Sequence, residues 1–72
     1  MKDERLKILA ANIKAERARK GYSQAKLAEL ANIGNETVGH IERCIQNPSV
    51  LIVLDIAKAL EIDIIKLFEG MR

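Results

Sequence analysis

The sequence predicts an all-α fold, a compact bundle of five short helices built as a single domain over residues 1–72. Three observations lead there. Apolar residues recur three and four positions apart, and no segment keeps the strict apolar–polar alternation of a half-buried strand. Residues that favour helix ends, among them Ser23, Gly34, Ser49 and Asp63, interrupt that pattern at short intervals. Apolar residues make up 49% of the chain, ample for a packed core and too many for a disordered segment.

A first helix is expected over about residues 3 to 19, with Leu6, Leu9 and Ile13 on its inner stripe. Asp3 and Glu4 suit its positive end, and Arg19-Lys20 ahead of Gly21 suits its stop. Ser23 is placed to cap a second helix running to about Ala31, with Leu27, Ala28 and Leu30 facing inward. Asn32-Ile33-Gly34 forms a turn of residues that accept left-handed backbone angles, Gly34 ending it as the cap of the next helix. That third helix is expected from Asn35 to about Cys44, with Val38, Ile41 and Ile45 as its buried side. Asn47 ahead of Pro48 breaks the pattern. Ser49 caps a fourth helix, Val50 to Leu60, and Asp63 a fifth, Ile64 to about Glu69.

Composition narrows the function classes. A chain this short buries only about 60% of its unfolded surface, and with Tyr22 and Phe68 as its sole aromatics the core must be aliphatic. The formal net charge is +2, unevenly spread. From Arg17 to Lys26 stand four cations (Arg17, Arg19, Lys20, Lys26) and no acid, whereas from Cys44 onward three cations meet four acids (Asp55, Glu61, Asp63, Glu69). One end of the molecule is suited to an anion. These cations, with Arg43, read either as an ordinary solvated face or as groups that neutralise a phosphate backbone; their clustering favours the second.

The single cysteine, Cys44, has no intramolecular partner for a disulfide. The opening MKDERLKILA is charged where a signal peptide needs an apolar centre, and the run Val50–Leu54 is too short to span a bilayer. A soluble, cytoplasmic protein with no membrane partner is expected. No glycine-rich phosphate loop and no assignable Ser/His/Asp or Cys/His pairing is found, so neither an enzyme nor a cofactor is expected. Glu36, His40 and Cys44 fall four apart, a conceivable metal face. Lacking a fourth ligand, they read better as an outward-facing His40 and a small, partly buried Cys44, with no metal expected.

The stretch SQAKLAELANIGNETVGHIE, about residues 23–42, carries the most information. Two short helices flank a three-residue turn, with small Ala28 at the close approach and Val38 and Ile41 anchoring the third helix from behind. Asn35, Glu36, Gly39, His40 and Arg43 are then left to project outward. Together with NPSVLIVLDIAKALEI and LF further on, KAERARKGYSQAKLAELANIGNETVGHIER resembles the lambda-repressor-like Cro/C1-type (XRE) helix-turn-helix family over about residues 7–68.

The resemblance implies a sequence-specific transcriptional regulator, of repressor or controller type, that binds a palindromic double-stranded DNA operator as a homodimer. No small-molecule effector is expected. An alternative is a protein-interaction module of the same fold, such as an antitoxin or adaptor. Carried over by position, Ser23 and Gln24 open the second helix, where Gln24 contacts a phosphate or braces a base-reading side chain; a merely solvated Gln24 is the competing reading. Asn35, Glu36 and His40 fall on the base-reading face, with Thr37 near the backbone. Asn35 can pair bidentately with adenine. Glu36 can accept from cytosine N4 or simply favour the helix dipole. Lys26 and Arg43 complete the expected DNA-binding set, while Arg17 and Glu42 match an internal structural ion pair.

Two questions stay open. Gly39 lies inside a helix, where glycine is worse than alanine by about 1 kcal/mol; its missing side chain either lets DNA approach closely or reflects drift. Leu51, Ile52, Ile64, Ile65 and Phe68, on the C-terminal helices at about residues 49–69, together with Met71 just after them, exceed the needs of so small a core. They are divided between core and a dimer interface that would set two recognition helices about 34 Å apart.

Overall fold

Asp3 opens the first helix of the computed structural model, which describes residues 3–71. Its carboxylate accepts the Arg5 backbone N–H at 2.8 Å, and the Arg5 side chain and N–H hold the Asp3 pKa down at about 2. Helix α1 then runs Glu4–Lys20 and ends at Gly21, whose φ of 74° is the left-handed cap that glycine adopts most cheaply. Helix α2, Gln24–Ala31, is capped by Ser23, whose Oγ accepts the Lys26 N–H at 2.9 Å. Helix α3 is Thr37–Glu42 and α4 is Val50–Leu60, the latter capped by the Ser49 hydroxyl. Asp63 caps the last element through the Ile65 N–H at 3.0 Å, but Ile64–Phe68 is a 3₁₀ helix rather than a fifth α-helix. Five residues between a cap and a turn are too few to repay α-helix nucleation without help from tertiary contacts.

The turn into α3 departs from expectation. Asn32 is left-handed, with φ 56°, but Gly34 is not, and α3 begins at Thr37 with Glu36 in the cap position. Gly34 offers no side-chain oxygen to cap with. Its carbonyl instead accepts the Thr37 N–H at 3.0 Å, closing a turn before the helix proper. A Cβ at position 34 would stand 3.0 Å from the Thr37 hydroxyl, so this glycine serves space rather than backbone angle.

The core is aliphatic throughout. Leu9, Ala10 and Ile13 of α1 meet Leu27, Ala28 and Ala31 of α2, Val38 and Ile41 of α3, Val53, Ile56, Ala57 and Leu60 of α4, and Leu67. Tyr22 and Phe68 pack against its edge. Two expected core residues lie outside it. Leu30 is exposed, because Leu27, Ala28 and Ala31 already define the buried stripe of α2. Ile45 is exposed because α3 ends at Glu42, before the periodicity can carry it inward. The C-terminus is tied back by Asn12, whose Nδ2 donates to the Leu67 and Glu69 carbonyls, each at 2.9 Å.

Cys44 follows α3 with φ 60°, a conformation in which an L side chain crowds its own backbone. Cys44→Gly is therefore expected to raise stability by about 0.5–1 kcal/mol, read as a higher urea midpoint at unchanged slope. An unchanged midpoint would show that the site carries no strain.

Candidate nucleic-acid interface

The angle between α2 and α3 is fixed from α1. Arg17 Nε donates to Glu42 Oε2 at 2.7 Å and Arg17 Nη2 to Glu42 Oε1 at 3.0 Å, a two-pronged pair joining α1 to the end of α3. The remaining prong, Nη1, donates to the Tyr22 carbonyl at 2.8 Å and so holds the α1–α2 connection. The carboxylate is 4% exposed and the guanidinium 16%. At that depth the pair is shielded from competing water, and the hydrogen bonds that Arg17 donates to Glu42 raise the Arg17 pKa above its ordinary value. Gln24 joins from α2, its Nε2 donating to Glu42 Oε1 at 3.1 Å. Side chains from α1 and α2 thus converge on the one carboxylate of α3.

The leading edge of α3 is polar. Asn35 and Glu36 are exposed and Thr37 and His40 half-buried, and among the described residues no hydrogen bond within the protein engages these four side chains. They are available to an outside partner. Ser23 spends its hydroxyl on the α2 cap. Gly39, expected on the outward surface, is instead buried, covered by the Gln24 side chain that lies across it. Helical periodicity within α3 alone does not reveal this, because the cover comes from another helix.

The cations have acidic neighbours. Lys26 pairs with Glu29 at 3.1 Å, Arg19 with Glu16 at 3.7 Å, and Lys20 reaches Glu61 at the end of α4 at 2.7 Å. Such exposed pairs are worth only about 0–1 kcal/mol each, so a phosphate can take Lys26 from Glu29 at little cost. Glu36, His40 and Cys44 do not share a helix face, because α3 stops at Glu42 and Cys44 lies beyond it in a left-handed residue. No group of three His, Cys, Asp or Glu among the described residues is arranged to hold a metal ion.

Of the residues divided between core and dimer seam, Leu51 and Ile65 are each 68% exposed. Ile52, Ile64, Phe68 and Met71 are partly buried against the core. The division that the sequence leaves open therefore falls between these two groups.

Two helices held at a fixed angle, with unengaged polar side chains leading the second, make up a helix-turn-helix unit. The HTH_3 helix-turn-helix family matches residues 13–67, and the chain belongs to this Cro/C1-type family of DNA-binding transcriptional regulators. It is 47% identical over 47 residues to the HTH-type transcriptional regulator YgzD of Bacillus subtilis (strain 168), covering 65% of this chain and 71% of that one. Among solved structures it is similar to the restriction-modification controller protein C.AhdI from Aeromonas hydrophila, with a TM-score of 0.85 and 35% identity over 88% of this chain and 96% of that one. It is also similar to SinR, the master regulator for biofilm formation, in complex with DNA, with a TM-score of 0.79, 32% identity, and 85% and 98% of the two chains covered.

Proposed function

We propose that this regulator binds a palindromic double-stranded operator as a homodimer in the cytoplasm, each protomer laying α3 in the major groove, with no catalytic step. The observation that carries the reading is the row Asn35, Glu36, Thr37 and His40, which meets no partner within the protein among the described residues while the helices behind it are locked by Arg17 and Glu42. In this reading Asn35 and Glu36 meet base edges. Lys26, Arg43 and the N-terminus of α2 neutralise phosphates, which fix register without reading sequence. SinR, a relative of the same fold, is seen in complex with DNA, which supports DNA as the partner. Among the described residues no helix is long and apolar enough to cross a membrane.

Binding to duplexes across a salt series tests the division of roles. Asn35→Ala is expected to cost about 1–3 kcal/mol on the preferred duplex and to relax preference at one position. Lys26→Ala is expected to weaken all duplexes alike and to flatten the dependence of log K on log salt by about one unit. Uniform weakening by Asn35→Ala would contradict its assignment to a base. Salt-independent binding would contradict the phosphate contacts.

A further inference from the structure

Gly39 lies within a helix, where glycine is the poorest former after proline, and it is buried. A Cβ at this position would stand 3.2 Å from Gln24 Oε1, 3.8 Å from Gln24 Cδ and 3.9 Å from Arg43 Nη1. The cover over the glycine is thus the amide of the first residue of α2. That amide is held in place, since its Nε2 donates to Glu42 Oε1 at 3.1 Å. A carboxylate paired to a guanidinium offers only acceptors, so the amide nitrogen faces Glu42 and the oxygen is left over Gly39.

We infer that Gly39 is a specificity-determining position that acts through Gln24 rather than by touching DNA. By lacking a side chain it lets the Gln24 amide lie close against α3, so that the leading residue of α2 becomes part of the surface that α3 presents. Any Cβ at 39 meets the amide closer than ordinary van der Waals contact and shifts it. The shifted group is the far end of a flexible side chain, so the fold absorbs the change easily, while the amide oxygen presented beside α3 is displaced by a few tenths of an ångström. Stability and recognition should therefore move in opposite directions, which a plain packing role does not produce. This inference rests on the operator-binding reading above.

The test uses the full chain with a duplex that it selects from a random pool, together with single-base variants of that duplex. Gly39→Ala, Gln24→Ala and the double variant are compared in thermal unfolding and in binding. Gly39→Ala is expected to melt a few degrees higher, as alanine improves the helix. It should bind the selected duplex roughly tenfold more weakly and lose discrimination at one base pair. In the Gln24→Ala background the added Gly39→Ala should change affinity by less than about twofold, because its target is gone. Unchanged affinity and base preference in Gly39→Ala would overturn the inference. So would an undiminished tenfold loss in the Gln24→Ala background, which would mean that the Cβ itself obstructs the DNA. Failure of the wild-type chain to select any duplex is a separate outcome that removes the operator-binding reading itself.

Discussion

Arg17→Ala is expected to destabilise the fold by about 3–5 kcal/mol, because it leaves the Glu42 carboxylate buried without its two-pronged partner. That carboxylate is only 4% exposed, so water cannot replace what the guanidinium supplied. A domain of this length has about 4–11 kcal/mol of stability in total, and the variant should be substantially unfolded at physiological temperature. The same change frees the Tyr22 carbonyl and with it the α1–α2 connection. Arg17→Lys should rescue little, since a single ammonium cannot reproduce two parallel bonds to Glu42 and a third to Tyr22. Replacing both partners, Arg17→Met with Glu42→Leu, should recover most of the stability, because no buried charge is then left alone. Because its folded pKa is raised, the Arg17 contribution is full below the ordinary arginine range and is lost only as pH rises through that raised value, so it is constant near neutrality. Urea unfolding followed by circular dichroism gives the comparison. A loss below about 1 kcal/mol for Arg17→Ala would place this pair among ordinary surface contacts.

Leu51→Glu combined with Ile65→Glu is expected to convert the protein to a monomer and to weaken operator binding by about 10²–10⁴-fold. Both side chains are 68% exposed in the single chain, so charge at these positions should leave the helices intact. They stand on α4 and on the 3₁₀ helix packed against it, and α4 adds exposed Val50 and Leu54. Apolar side chains this exposed contribute little to the fold of one protomer, whereas covering them in a second copy would remove them from water. Two linked recognition helices gain from effective concentration without any new base contact, and separation removes that gain. Sedimentation at micromolar concentration should give two chains for the wild type and one for the variant. A wild type that sediments as one chain, or a variant that keeps full operator affinity, would contradict the seam.

Most of the fold was legible because its signals are local. Ser23, Ser49 and Asp63 cap the elements they precede, and Gly21 and Asn32 end theirs in left-handed conformations, all choices set by the backbone within a few residues. The start of α3 was less legible. The sequence suggests freedom of angle for Gly34, while its constraint is the Thr37 hydroxyl beside it. Leu30 and Ile45 fit a three-to-four spacing but lie outside the buried stripes, which are decided by where neighbouring helices pack. The contact of Gln24 with Glu42 and Gly39 was illegible for the same reason, being a meeting of two helices. Asn12 gives no sign in the sequence of the two C-terminal carbonyls that it satisfies.

In the proposed operator complex, two copies of α3 read DNA in register with one another. Selection from a random duplex pool by the full chain, followed by sequencing of the bound fraction, tests it most directly. The expected result is a two-fold symmetric consensus whose half-sites are centred about 10 base pairs, one helical turn, apart or a multiple of that. Enrichment of an asymmetric sequence, or of none, would contradict it.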